Sequence, residues 1–295
     1  MTSVPPHRPR GSGDGWVELP DGRRFWGRAG AAGLLAVTPA DEVLLQHRVA
    51  WSHFGDTWGL PGGARNVGES SIEGALREAR EETGIDTALL RPRFAVRLDL
   101  DVWTYTTVAA DAPTALPIAV SDPESTALEW VPAGRVAELP LHPGFADAWP
   151  HLRELLPVRP ALVVDVANVV GSRPDGWWRD RAGAATRLLA ALAARAAAGF
   201  PADGSGPLPL VVAWPEVVAV VEGEARAAAS GDHRPVEVVP APGHGDDEIV
   251  AQTVRLVAGG RRVRVVTADR ELADRVRAAG AVEVTGPSQL LELLG

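Results

Sequence analysis

Cysteine is absent from this sequence. Disulfides, thiolate metal ligands and a cysteine nucleophile are excluded with it. Lysine is absent too, so all 29 basic residues are arginine. That removes a phosphate-loop lysine and Schiff-base chemistry. No apolar run reaches the roughly 18–20 residues that a membrane helix needs, so no membrane partner is expected. The opening stretch MTSVPPHRPRGSGDG is polar and rich in Pro and Gly. It lacks the apolar centre of a signal peptide, so residues 1–15 are expected to form a disordered tail and the protein to be cytoplasmic. Positive charge is also in short supply: the formal net charge is −9 and the pI about 5.3. Broad nucleic-acid affinity needs a positive surface, so any nucleic-acid contact would depend on a local Arg patch.

At 295 residues the chain is long enough for two domains. Residues 16–157 read as short strands around one strong helix. Residues 160–295 alternate strand and helix, the pattern of a parallel sheet covered on both faces. Pro157 and Pro160 stand at the join, where a helix cannot continue. In the first part, AAGLLAVTP and EVLLQHRV read as strands, Glu69 to Thr83 as a helix stopped by Gly84, RPRFAVRLDLDVWTYTTVAA as one long or two shorter strands, ALEWVP as a strand and ADAWPHLRELL as a closing helix. In the second part, ALVVDVANVV, LPLVVAWP and RRVRVVTAD read as strands, with RAGAATRLLAALAARAAA, DDEIVAQTVRLVAGG and ELADRVRAAG as helices.

Glu78, Glu81 and Glu82 lie at i, i+3 and i+4. That spacing puts three carboxylates on one helix face. They crowd the last turns, where the helix dipole is already negative, at a cost of a few tenths to about 1 kcal/mol for each effect. A divalent cation reverses the sign of both terms, and carboxylate oxygens are the ligands Mg2+ prefers. Read alone, the same acids also fit a solvated face neutralised by Arg77 and Arg80.

The surrounding residues add a pattern: Gly63, Glu69, Arg77, Glu78, Ala79, Glu81, Glu82, Gly84 and Ile85, preceded by WGLPGG. This segment resembles the signature box of the Nudix hydrolases at every required spacing; only Ala79 is smaller than the aliphatic residue common there. The resemblance implies an α/β/α sandwich with a mixed sheet and metal, Mg2+ or Mn2+, at Glu78 and Glu82 with Glu81 and the Gly63 backbone. It implies that Arg77 pairs with Glu69, and that the diphosphate linkage of a nucleotide-type substrate is cleaved. A carboxylate deprotonates the attacking water; Glu81, Glu82 and the loop acid Glu124 are the candidates, with Glu129 facing either way. Relatives of this kind often dimerise, so a homodimer is a further expectation. His47, Arg48 and Trp103 are candidate substrate contacts. Trp51, Phe54, Tyr105 and Trp130 either stack on a base or fill the core.

In the second part, acids follow strands: Asp165 with Asn168 nearby, Asp246 and Asp247 after the loop Pro242-Gly243-His244-Gly245, and Asp269 after RVRVVTA. Ligands of parallel α/β sheets gather at these carboxyl ends. Each Asp also suits a helix N-cap. VVDVANVVG, GDDEIVAQ and VVTADRELADRV together resemble the NYN branch of the PIN-like nucleases, a Rossmann-like fold. That implies metal at Asp165, Asp246 or Asp247, and Asp269, supported by Asn168, with two-metal cleavage of RNA as the activity. The further acid such enzymes place mid-domain is not evident, Asp175 and Asp180 being weak candidates, and an impaired nuclease stays open. Arg173, Arg179 and Arg181 cluster with Trp177 and Trp178, a composition suited to single-stranded RNA. From residue 160 onward 14 Arg face 17 acids.

The leading expectation is a pyrophosphohydrolase fused to a PIN-like ribonuclease. The alternatives are a nucleotide-sensing Nudix fold that regulates an RNA-binding or nuclease module, and a C-terminal domain that serves only as an adaptor.

Overall fold

A computed structural model describes residues 11–121, 123–173 and 176–295. Asp122, Asp175 and residues 1–10 of the expected tail lie outside the described residues. The chain divides into two compact units, residues 1–156 with 202–212, and residues 157–201 with 213–295.

The first unit opens with a hairpin, β1 (Trp16–Glu18) and β2 (Arg24–Trp26). Then come β3 (Ala31–Val37), β4 (Glu42–Arg48), β5 (Trp58–Gly59) and β6 (Gly62–Ala64). Helix α1 (Ser71–Thr83) precedes β7 (Arg91–Asp99), β8 (Thr104–Asp111), β9 (Ser125–Pro132) and α2 (Pro143–Leu155). β3 and β8 are parallel and the other pairs antiparallel, so the sheet is mixed.

Neighbouring strand residues face opposite sides. Leu34, Ala36 and Leu44 pack with Ala79 and Ile85 of the α1 side; Leu35, Val37 and Leu45 pack with Phe145, Trp149 and Leu152 of α2. Each fully buried Leu contributes about 1.5–3 kcal/mol, and the two layers make the sandwich.

Helix α1 starts at Ser71 rather than Glu69, because Ser70 caps it. The Ser70 hydroxyl accepts the Glu73 N–H while Glu73 accepts the Ser70 N–H. Gly84 ends it at φ 66°, a conformation that favours glycine. The expected tail is too long as drawn to residue 15. Gly13 is buried, Gly13 and Gly15 accept from the Arg28 and Gly27 amides, and Ser12 donates to Asn66.

The second unit begins with β10 (Pro160–Asp165), α3 (Val166–Gly171) and α4 (Arg181–Ala198). A two-residue strand, β11 (Phe200–Pro201), leads into β12 (Leu210–Ala213). β12 lies beside β7, and Leu208 and Leu210 pack on the α2-side core. LPLVVAWP is therefore not a strand of the parallel sheet, as its position had suggested. That place belongs to β13 (Glu216–Val221), buried from Val217 to Val221, whereas β12 is half-buried throughout.

β14 (Glu237–Pro240), α5 (Gly245–Ala258), β15 (Arg262–Val266), α6 (Arg270–Ala278), β16 (Glu283–Thr285) and α7 (Pro287–Leu294) complete the unit. All sheet pairs are parallel and the order is β14-β13-β10-β15-β16. The chain winds outward from β10 to β13 and β14, then crosses back to β15 and β16 on the other side, so the switch point lies between β10 and β15, where such sheets bind ligands. No described helix is long and apolar enough to cross a membrane.

Candidate active site

Glu82 shares the buried face of α1 with Ala75 and Ala79, while Glu78 lies one position aside, against Gly63 of β6. Glu82 is 8% exposed, and its Oε2 accepts the Gly62 N–H at 2.8 Å. Burial and then the Glu78 charge push its pKa up to about 8, against Gly62, Arg48 and Gln46. Burial also raises Glu78, which Arg77 opposes and Glu81 and Asp14 reinforce. A Cβ on Gly63 would stand 2.8 Å from the Glu78 carboxyl, so only glycine lets the strand and that acid approach this closely.

Arg77 organises the cluster. Its Nε and Nη2 donate to the two Glu69 oxygens at 2.8 and 2.9 Å, Nη2 also to the Ala64 carbonyl, and Nη1 to Glu78 at 2.8 Å. That fork is the geometry guanidinium offers a carboxylate. It ties the loop before the helix to the helix face. Glu81 is different: its side chain is 55% exposed and meets Arg77 only at 3.3 Å.

β4 supplies two groups to the buried acid, Gln46 and Arg48. Gln46 is buried, donates Nε2–H to Ser125 and leaves Oε1 without a partner; Arg48 likewise has a buried Nε with none. Gln46 escaped sequence reasoning because a lone Gln in an apolar strand carries no motif. Tyr105, read from sequence as a base-stacking or core aromatic, lies within electrostatic reach of the box acids: burial and then Glu82 raise its pKa.

Of the other expected contacts, His47 is bound to Thr126 and lies edge-on to Trp58. Glu124 holds the Val49 amide through its carbonyl at the end of β4, and Glu129 is exposed. Trp103 is a correction. It is 7% exposed, Phe25 stacks on it at 4.4 Å, and its Nε1–H donates to the Trp26 carbonyl, so no face is open to a substrate. Trp130 donates to the Leu116 carbonyl against the α1-side core.

Among the described residues no three acidic or histidine side chains stand as a ready-made ion cage. Arg77 holds Glu78, so a cation would have to draw that carboxylate toward Glu82. The donor set still fits a hard divalent ion: oxygens only, a buried Glu82 and a half-buried Glu78 whose proton affinities are both raised by burial, Glu82's also by Glu78, and a glycine that leaves room beside them.

In the second unit, Asp165 is buried at the end of β10. It accepts the Asn168 N–H and the Thr267 hydroxyl, while Asn168 accepts the Ala268 N–H. Burial, then Asp246 and Glu222, raise the Asp165 pKa. Burial, Asp269 and Glu222 raise that of Asp246. Asp246 and Glu222 thus act on Asp165, and Asp269 and Glu222 on Asp246, without forming a ready-made ion cage among the described residues; Glu222 follows β13 and accepts the Gly245 N–H at 2.7 Å. Glu222 was not singled out from sequence. Asp247 points elsewhere, to Arg275 at 2.6 Å. Asp269 also caps α6 and Asp180 caps α4. A recess of about 410 Å³ opens beside Asp269, Arg270 and Arg277. Trp178 is 56% exposed, and Arg181 lies over Trp177 at 5.5 Å.

Comparison with known proteins places the first unit. The NUDIX domain family model matches residues 27–155. A protein of Mycobacterium tuberculosis named "Putative 8-oxo-dGTP diphosphatase 3" is 49% identical over 166 residues, covering 52% of this chain and 76% of its own length. A "Nucleoside triphosphate pyrophosphatase/Nudix hydrolase fusion protein" of Bifidobacterium longum is 42% identical over 153 residues, covering 49% of this chain and 31% of its own. Among solved structures, a Nudix hydrolase of M. smegmatis, RenU, is 48% identical, covers 48% of this chain and 94% of its own, and superposes with a TM-score of 0.45. With the box acids gathered on α1 and relatives of this identity matched across the same unit, the chain belongs to the Nudix hydrolase family.

Proposed function

We propose that the first unit hydrolyses the diphosphate linkage of a nucleoside diphosphate derivative, with Mg2+ or Mn2+ held by Glu78 and Glu82 beside the Gly63 backbone and Glu81. The buried Glu78–Glu82 pair packed on Gly62 and Gly63 carries this reading. Two acids whose charged forms burial disfavours make sense when a cation occupies the site. When bound, the ion neutralises diphosphate oxygens and lowers the proton affinity of water.

The chain's own residues do the rest. Arg77 locks the helix to the loop through Glu69. Arg48, near the buried acid and with an unpartnered Nε, faces a phosphate. Glu81, exposed and loosely held, accepts the proton of the attacking water; Glu124 is the alternative base. The names of the mycobacterial and bifidobacterial relatives favour nucleoside triphosphates as the substrate class.

The test is incubation with Mg2+ and a panel of nucleoside triphosphates, dinucleotides, nucleotide sugars and capped RNA, products being resolved by anion exchange. Turnover lost in Glu82→Gln supports the enzyme. Tight binding of one nucleotide without turnover replaces it by a sensor.

A second reading concerns the other unit: a PIN-like, NYN-type ribonuclease that binds metal at Asp165, Asp246 and Asp269 with Asn168 in support. The addition of Glu222 to that group favours it. Trp178 and the arginines near it would contact single-stranded RNA. RNA cleavage unchanged in Asp165→Asn removes the site and leaves an adaptor.

A further inference from the structure

The loop between β4 and β5, residues 49–57, holds Phe54 at φ 54° and Asp56 at φ 57°. A bulky side chain at positive φ is a backbone outlier, and such strain persists only where surrounding bonds over-determine it. Here they do: Ser52 and Thr57 hydroxyls donate to the Val49 and Phe54 carbonyls, Gly55 N–H to Ser52, and Asp56 N–H to Arg48. The outcome is a phenyl ring 46% exposed to solvent.

We propose that Phe54, with His53, His142 and Trp16 around it, receives the heteroaromatic base of the nucleotide while its phosphates lie toward Arg48 and the box acids. This rests on the hydrolase reading above. Three segments meet at the cluster: the β4–β5 loop, the start of α2 and the N-terminal hairpin. Phe54 meets His53 at 4.2 Å and 57° and His142 at 4.9 Å and 83°; His53 meets Trp16 at 5.6 Å and 79°. None of these rings lies flat on Phe54, in contrast to Trp103 under Phe25. The exposed part of Phe54 is thus able to stack on a base.

The charges divide in the same way. Burial, then Arg48 and His53, push His142 down to about 4; burial, then Arg48 and Arg24, lower His53. Both imidazoles are neutral at pH 7 and offer ring edges without charge, which suits a neutral base and not a phosphate. Arg48, which closes β4 just before the Phe54 loop, acts electrostatically on both histidines and on Glu82, so the ring cluster and the acids share one cation. A diphosphate at that cation would leave its attached nucleoside toward the rings.

The experiment compares wild type with Phe54→Leu, which keeps apolar volume, and Phe54→Tyr, which keeps the ring, once equal melting points show that both fold. KM and kcat are measured on the best nucleotide with Mg2+, with Glu82→Gln as a control. Binding of GMP and AMP, and of inorganic tripolyphosphate, is followed by calorimetry. The expected result is a KM for the nucleotide raised at least tenfold in Phe54→Leu with kcat within about twofold, tripolyphosphate affinity unchanged, and recovery in Phe54→Tyr. Unchanged KM, or equal losses for nucleotide and tripolyphosphate, overturns the base site and leaves the hydrolase standing. If wild type turns over no nucleotide, the hydrolase reading fails and calorimetry decides here: GMP or AMP affinity tenfold weaker in Phe54→Leu sustains the base site, and unchanged or absent binding overturns it.

Discussion

Single atoms decide much of the first unit's chemistry. A methyl group at residue 63 would reach within 2.8 Å of the Glu78 carboxyl. Gly63→Ala is therefore expected to displace that flexible carboxylate, lowering kcat at least tenfold with little change in stability; kinetics beside thermal melts check it. His142 gives a pH signature. Its Nδ1 accepts the Gly144 N–H, and it packs near Arg48, His53 and the Phe54 ring, so protonation is disfavoured in the folded state. A depressed native pKa means that the unfolded chain binds more protons between the unfolded value near 6.5 and about 4. Stability from this group is then complete above pH 6.5 and is lost as pH falls toward 4. His142→Asn keeps a capping acceptor and cannot titrate. Its denaturation free energy should fall less across that window than the wild type's; equal slopes would refute this role. What sequence shows at this scale is the box: glycine, glutamate and arginine spacings name the acids. It does not show that Trp103 is covered by Phe25 or that Gln46 sits beside Glu82, because those contacts join residues 78 and 36 positions apart.

At the scale of elements, caps and alternation were legible and partner choice was not. Ser70, Glu73 and Gly84 bound α1 by local hydrogen bonds, which a sequence displays directly. The β1–β2 hairpin is too short to show a period. β12 carries a good strand sequence, yet its place beside β7 depends on which sheet edge is open, and a run of valines records nothing of that. Glu222 was missed for the same reason: a single acid after a valine strand gains meaning only when β13 lies next to β10 and Gly245 comes to it from 23 residues on. The arm's contribution can be measured. Leu210→Asp puts a charge against the α2-side core and should lower the first unit's stability by about 1–3 kcal/mol, read as an earlier transition of that unit in chemical denaturation. No shift would mean that β12 adds nothing to it.

For the whole molecule, two groups of acids, one on the box helix and one at the strand ends of the second unit, reside in one acidic chain with a net charge of −9. Each gathers carboxylates at a glycine-containing loop, and each sits in its own compact unit. Substitution in the second unit is expected to leave the nucleotide hydrolysis proposed for the first untouched. The most direct measurement is the initial rate with Mg2+ on the best nucleotide substrate for wild type, Glu82→Gln and Asp165→Asn side by side. Loss of the buried box carboxylate should lower the rate about a thousandfold, ~4 kcal/mol of transition-state stabilisation, while Asp165→Asn retains full rate. A Glu82→Gln protein that hydrolyses the substrate as fast as wild type would contradict the assignment of the active site to α1.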